Sequence, residues 1–246
     1  MTYPRHCPSC RQMRMIVVRD RGRRGHTQLG WLDSWHTFSF GDFRDPNHMG
    51  FRSIRVINDD RVNPGAGFGT HGHSDMEIIS YVLEGELSHE DGLGTGSVIR
   101  PGDVQRMTAG SGIRHAEFNH SKSAPVHFLQ IWILPETARL APSYEQKVIP
   151  REQRRNALRL IADRDGTNGA IRVHQDVKLY AADLEPGAIV RQSFAPGRFG
   201  WLQVARGVVS LEGDELREGD GAAISAEPSI ELTTSVGGEV LLFDLA

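Results

Sequence analysis

The sequence predicts an all-β protein made of two similar barrel-like halves. Short runs of alternating apolar residues recur from residue 50 onward, separated by Gly, Pro, Asn and Asp, which is the pattern of strands and turns. Many short strands at this spacing are typical of β-barrels and sandwiches. At 246 residues, the chain has room for two compact domains of about 100 to 130 residues each.

The two halves share a sequence pattern. Residues 82–87 followed by residues 100–103 resemble residues 204–209 followed by residues 217–220. In each half, a strand reaches a Gly turn, a second strand follows, and a Gly-Asp turn comes next. Such a repeat indicates duplication of one β-barrel unit.

The predicted elements follow in chain order. A strand over residues 51–57 leads into a predicted turn at residues 58–60, Asn-Asp-Asp. Residues 135–155 contain three prolines and many charges, which predicts a connector between the halves, and a short helix is expected near residues 151–159. The other predicted strands are apolar runs at residues 77–83, 97–99, 126–134, 171–173, 201–204, 208–211, 230–233 and 240–245.

Composition excludes several classes of protein. Hydrophobic residues make up 39% and charged residues 24%, which argues against disordered, collagen-like and membrane proteins. The net charge of -3 leaves no global basic field, so we predict no direct nucleic-acid binding. No stretch approaches the roughly 20 apolar residues that span a bilayer, and no secretory signal is evident, so we expect a cytoplasmic protein without membrane contact.

Four residues in two short motifs have the side chains of metal ligands. His71 and His73, and likewise His115 and Glu117, stand at positions i and i+2, which point to the same face of a strand. The two pairs can therefore converge inside a barrel. Three imidazoles and one carboxylate suit Fe(II), Mn(II), Ni(II), Cu(II) or Zn(II).

Only the first half carries these ligand pairs. The corresponding region of the second half contains Pro196, Arg198 and Trp201 and no histidine. We therefore predict a metal-binding domain at residues 15–140 and a barrel without metal at residues 141–246.

The remaining N-terminal segment holds the only cysteines. Cys7 and Cys10 form a single C-x-x-C pair, and a zinc site would need a second pair of ligands. We interpret residues 1–14 as an N-terminal extension and expect it to be disordered.

The same histidines match the two cupin motifs. The pattern G-x5-H-x-H-x3-E runs from Gly65 to Glu77, and H-x3-N runs from His115 to Asn119. Three longer strings resemble the pirin family specifically, and similarity to the bacterial pirin-like proteins extends from about residue 15 to the C-terminus. These strings are GWLDSWHTFSF at residues 30–40, GTHGH at 69–73 and MTAGSGIRHAE at 107–117.

The resemblance implies two cupin barrels of the jelly-roll type packed together, with one divalent metal in the N-terminal barrel. In pirins, the positions of His71, His73, His115 and Glu117 are the metal ligands, and we expect Fe(II), with Mn, Ni, Cu and Zn as alternatives. Other cupins take their carboxylate from the first motif. Glu77 lies near that position and, by strand parity, on the face of His71 and His73, so it is the rival fourth ligand.

Four ligands on an ion that prefers six leave about two positions open. Some pirin-like proteins resemble quercetin 2,3-dioxygenases, so we predict a metal-dependent dioxygenase that cleaves a flavonol or similar phenolic with O2. Glu117 would be the catalytic residue that assists deprotonation of the aromatic substrate. The alternatives are a metal- or redox-responsive regulatory protein of the pirin type, which binds a transcription-related partner, and an inert metal-stabilised scaffold. We expect a monomer because the two barrels can cover each other's open faces.

Other residues lie near the metal motifs or fit the family pattern. Asp33 or His36 is a candidate hydrogen-bond partner of a metal ligand, whereas His174 and Asp176 fit the family pattern without a catalytic role. Five residues either line the mouth of the pocket or pack in the core: Trp31, Trp35, His36, Phe38 and Phe40.

Overall fold

The structure is a computed structural model that describes residues 15–94 and 96–246. The predicted N-terminal extension at residues 1–14, with Cys7 and Cys10, lies outside the described residues. The described chain is mostly β-strand, as predicted. One α-helix, α1 (Arg151–Arg154), lies where a short helix was expected, and no helix of the described chain is long and apolar enough to cross a membrane.

The strands are numbered in chain order. They are β1 (Met15–Arg19), β2 (Gly25–Gln28), β3 (Leu32–His36), β4 (Ile54–Val62), β5 (Gly67–His73), β6 (Glu77–Glu84), β7 (Leu87–Asp91), β8 (Gly96–Ile99), β9 (Asp103–Thr108), β10 (Ile113–Asn119), β11 (Val126–Ile133), β12 (Ser143–Val148), β13 (Arg159–Asp163), β14 (Ile171–Arg172), β15 (Val177–Leu184), β16 (Ile189–Ser193), β17 (Phe199–Leu211), β18 (Asp214–Arg217), β19 (Gly221–Ser225), β20 (Ser229–Thr233) and β21 (Gly238–Leu245).

Two sheets form the first barrel. A seven-stranded sheet in the order β12-β9-β6-β11-β4-β3-β2 packs against a four-stranded sheet in the order β5-β10-β7-β8. The second barrel has a larger sheet in the order β1-β19-β17-β21-β15-β13-β14, while β16, β20, the end of β17 and β18 form its smaller side.

The barrels pack together through their larger sheets. The largest apolar cluster joins Ile79 and Leu129 of the first barrel to Leu179 and Phe243 of the second. The rings of Phe38 and Trp201 meet in the same cluster, 4.8 Å apart. Continuous apolar residues on these central strands follow from burial on both faces. The predicted pair of packed barrels is confirmed.

Strand pairing crosses the predicted boundary at residues 140 and 141 in both directions. β1 adds to β19 in the sheet of the second barrel, and β12 adds to β9 in the sheet of the first. The connector therefore contains a strand, and each half of the chain closes part of the other half's barrel. The division into residues 15–140 and 141–246 remains a prediction.

The repeated glycine and aspartate positions have the same geometry in both barrels. Gly85 and Gly207 have positive φ values of 77° and 73°, and a side chain at either position would meet a backbone carbonyl. Asp103 accepts a hydrogen bond from the backbone N–H three residues earlier at 2.9 Å, and Asp220 does the same at 2.8 Å. The structure thus supports duplication of one barrel unit.

Two local predictions were wrong. Residues 58–60 form no turn, because β4 continues to Val62 and buries all three polar side chains. Residues 201–204 and 208–211 belong to one 13-residue strand, β17, which continues through Gly207 and has a shift of register between Val204 and Arg206. In both cases, pairing with distant strands overrides a local preference for a turn.

Candidate metal centre

Three histidines are brought together by two adjacent strands of the four-stranded sheet. β5 and β10 are antiparallel, and His115 lies directly opposite His71. His73 follows on the same face of β5 as His71, because alternate residues of a strand share a face. The two motifs predicted to converge therefore do so through strand pairing.

The imidazole nitrogens of His71, His73 and His115 that can bind a metal lie within 4.8 Å of one another. The Nε2 atoms of His71 and His115 are 3.1 Å apart. Ring centroids are separated by 4.4 to 5.0 Å among the three pairs. Within the described residues, this is the only group of three or more His, Cys, Asp and Glu side chains with that spacing.

Hydrogen bonds leave the inward-facing nitrogens free to act as ligands. Nδ1 of His71 donates to the carbonyl oxygen of Gly69 at 2.8 Å, which places the neutral ring's lone pair on Nε2. Nδ1 of His115 lies 3.2 Å from Nε2 of His89, which gives His115 the same arrangement when it donates. These are the outer contacts expected of metal-binding histidines.

Burial also keeps the rings of His73 and His115 neutral. Desolvation lowers the pKa of His73 to about 4 and, together with the neighbouring histidines, the pKa of His115 to about 3. Neutral imidazoles are the form that binds a metal, so the donor set fits a divalent transition metal.

Glu117 is buried beside the histidines but stands outside their cluster. Its Oε1 accepts a hydrogen bond from Ser80 Oγ at 3.1 Å, and its Oε2 accepts one from Gln130 Nε2 at 2.6 Å. Burial raises the pKa of Glu117 to about 7, although both hydrogen bonds act in the opposite direction. Its assignment as the fourth ligand remains a prediction.

The rival carboxylate, Glu77, lies elsewhere. Its Oε2 is 3.1 Å from both the backbone N and Nδ1 of His174, and 3.9 Å from Nε of Arg106. Strand parity failed here because a turn through Asp75, with φ of 49°, separates β5 from β6, and the two strands belong to different sheets. Glu77 therefore connects the barrels and does not join the histidines.

A cavity of about 250 Å³ opens beside the histidines. His71, His73 and Glu117 line it together with the rings of Phe40, Phe68 and Trp132 and the side chain of Leu32. A larger cleft of about 730 Å³ at the junction of the barrels contains none of the three histidines. Because the 250 Å³ cavity brings two of the three histidines together with Glu117, it is the one in which a bound molecule would meet a metal.

The aromatic residues and outer partners predicted near the site divide into two groups. His36 and Phe40 line the cavity. Trp35 stacks on His26 with centroids 3.9 Å apart, and Asp33 pairs with the same His26 at 2.7 Å. Trp31 packs edge-on against Phe68, and Phe38 lies between the barrels.

Several residues of this site were missed from the sequence: Asp60, Ser80, His89, Gln130 and Trp132. Each stands on a strand with no recognisable motif, and only strand pairing carries it to the cavity or to the ligands. The register of β7 on β10 sets His89 opposite Glu117, a relation that no local pattern reveals.

Family models match most of the chain. The pirin model covers residues 17–133, and the model of the quercetinase C-terminal cupin domain covers residues 160–245. The quercetin 2,3-dioxygenase of Escherichia coli is 46% identical over 232 residues, which cover 94% of this chain and 99% of that protein. The chain belongs to the pirin family.

Solved structures of a bacterial pirin agree with this assignment. YhhW from Escherichia coli is 44% identical, with a TM-score of 0.91 over 94% of this chain and 98% of that one. The same pirin in complex with nickel(II) has a TM-score of 0.89 at 44% identity, over 94% and 99% of the two chains. The predicted membership of a metal-binding, dioxygenase-related pirin family with two cupin barrels is confirmed.

Proposed function

We propose that the protein is a metal-dependent dioxygenase that opens a ring of a flavonol or a similar phenolic with O2. The observation that carries this proposal is a cluster of three histidines with metal-binding spacing, two of which line an aromatic-walled cavity together with a buried carboxyl group. The similarity to the quercetin 2,3-dioxygenase of Escherichia coli supports the substrate class.

One divalent metal would be held by His71, His73, His115 and Glu117, in the first barrel only. We propose Fe(II), since reaction with O2 requires a redox-capable ion, and the nickel(II) complex of YhhW makes Ni(II) the first alternative. When bound, the ion supplies a Lewis acid and a path for electrons toward O2.

Glu117 would accept the proton of the substrate's phenolic hydroxyl group. Glu117 lines the cavity that a phenolic hydroxyl would enter, and burial raises the pKa of its carboxyl group to about 7 in the metal-free protein, which makes it a stronger base than an exposed carboxylate. Ser80 and Gln130 donate one hydrogen bond each to the carboxylate, so they fix its orientation while leaving further lone pairs for the substrate.

Aromatic side chains would orient the substrate and exclude water. Trp132 packs edge-on against His73 and Phe40, with centroid distances of 4.9 and 5.5 Å. Together with Phe68, these rings form apolar walls against which a flat aromatic molecule can stack. We further propose that the chain works as a monomer, because the larger sheets of the two barrels already cover each other.

Oxygen uptake with quercetin tests the proposed reaction. The metal-stripped protein is reloaded separately with Fe(II), Mn(II), Ni(II), Cu(II) and Zn(II), and flavonol loss is followed by absorbance. We expect turnover with at least one redox-capable ion, none with Zn(II), and none in His71→Ala. Stoichiometric metal binding without turnover by any ion would contradict the proposal and favour the regulatory alternative.

A further inference from the structure

A square of polar side chains lines one wall of the cavity, away from the histidine cluster. In the antiparallel pair of β3 and β4, Ser34 lies opposite Asp60, and His36 lies opposite Asn58. All four are at most 4% exposed, and all four line the cavity. Alternation along each strand explains why they share this face.

Two members of this square, His36 and Ser34, have their hydrogen bonds satisfied within the protein, and Asn58 accepts one from His36. Nδ1 of His36 donates to Oδ1 of Asn58 at 2.9 Å, and Nε2 of His36 accepts from the hydroxyl of Thr27 at 2.9 Å. Ser34 donates its hydroxyl proton to Oδ1 of Asp60. This wall therefore has little hydrogen-bonding capacity left at His36 or Ser34.

Asp60 differs from its neighbours. Among the described residues, Oδ2 of Asp60 accepts no hydrogen bond, and no cation pairs with the carboxylate, since Arg24 and Arg61 pair with Asp59 on the opposite face of β4. Burial of a carboxylate with a single hydrogen bond is unfavourable and raises the pKa of Asp60 to about 7, so the protein by itself leaves this group incompletely satisfied. A hydrogen-bond donor on a bound molecule would supply the missing partner.

We propose that Asp60 is a specificity-determining residue that accepts a hydrogen bond from a second hydroxyl group of the aromatic substrate. The inference rests on the proposed function, in which the first hydroxyl is held at the metal and Glu117. The pocket then selects aromatic molecules with two separated hydroxyl groups. The aromatic walls favour a flat ligand, and the buried carboxyl groups of Asp60 and Glu117 determine where its hydroxyl groups must lie.

Binding without turnover tests this assignment. Protein loaded with Zn(II) is titrated under nitrogen with quercetin and with 3-hydroxyflavone, which has the same skeleton and only the hydroxyl expected at the metal, and tryptophan fluorescence gives each Kd. We expect quercetin to bind about tenfold more tightly or better, as one hydrogen bond to a charged group predicts. Asp60→Asn should lose most of this difference between the two Kd values. If its side-chain oxygen keeps the hydrogen bond from Ser34, its NH2 group faces the ligand and donates where the carboxylate accepts. The Kd of the variant for 3-hydroxyflavone should stay within about twofold of the wild-type value.

Asp33→Asn is the matched control, since Asp33 stands on the outer face of β3 and pairs with His26. It should keep the wild-type ratio. Asp60→Ala provides a second, smaller substitution, and thermal unfolding should show that neither Asp60 variant is less stable than wild type. An unchanged ratio in both variants, or an equal loss of affinity for both flavonols, would overturn the role of Asp60. Failure of the wild-type protein to bind either flavonol would instead overturn the proposed function.

Discussion

The smaller sides of the two barrels carry different interior side chains on a shared architecture. In the first barrel, β5 and β10 direct three histidines and Glu117 inward. In the second, β16, β20, β18 and the end of β17 contribute aliphatic side chains to one apolar cluster. Members of that cluster include Val190, Leu211, Leu216 and Leu232.

The polar interior of the first barrel provides the site, whereas the apolar interior of the second contributes mainly to stability. Each fully buried aliphatic side chain stabilises a fold by about 1.5 to 3 kcal/mol, whereas a buried carboxyl or imidazole is unfavourable until it is hydrogen-bonded or bound to a metal. The extensive apolar packing inside the second barrel and between the barrels therefore offsets the polar interior of the first. Substitutions in the two interiors should consequently affect different properties.

The largest expected effect is the loss of the metal in His71→Ala. Removing a ligand should weaken metal binding by more than the roughly 10- to 100-fold that loss of an outer partner costs. Metal content per chain after dialysis measures this. His120→Ala, at an exposed histidine of the same barrel, should retain the metal. Full metal content in His71→Ala would show that the site lies elsewhere.

The next effect concerns Glu117→Gln. Loss of a general base should lower kcat by roughly 10²- to 10⁴-fold in metal-saturated protein. Burial raises the pKa of Glu117 to about 7 in the metal-free protein, and a bound cation would lower it, so activity of the metal-loaded protein should rise with pH at or below that value as the carboxylate form grows. The activity of the variant should not show this rise with pH. Glu90→Gln on the exposed face of the same sheet is the control, and a wild-type profile in Glu117→Gln would refute the assignment.

A cavity in the second barrel should affect stability and leave the metal in place. Leu242 is fully buried there, and Leu242→Ala should lower the free energy of unfolding by about 2 to 5 kcal/mol. Urea denaturation and metal content measure the two properties. Leu87→Ala makes the matched change in the core of the first barrel. Loss of metal from folded Leu242→Ala would show that the two interiors are coupled.

The smallest effect is expected for His89→Phe. Phenylalanine preserves a ring but removes the Nε2 atom that lies 3.2 Å from Nδ1 of His115. Metal affinity should fall about tenfold, as for other outer partners of a ligand. His26→Phe, outside the cavity, should leave the affinity unchanged. Competition with a chromophoric chelator measures both, and equal affinities would remove His89 from the metal centre.

Much of the fold and the centre of the site could be predicted from the sequence because their causes are local. Alternating apolar residues predicted the strands, and the matching positions of Gly85 and Gly207 predicted the repeat, since only glycine adopts their backbone freely. The spacing of His71 and His73 fixed a common face once both lay on one strand. These relations span a few residues, and backbone geometry alone enforces them.

Tertiary structure decided the features that depend on pairing between distant strands. It carried Glu77 to His174 in the second half of the chain, and it turned Asp60 from an expected turn residue into part of the cavity wall. It also placed β1 in the sheet of the second barrel and β12 in the sheet of the first. The sequence by itself determined the ligand types and their local faces; which buried carboxyl groups share the cavity with the histidines depended on sheet register, which long-range packing sets.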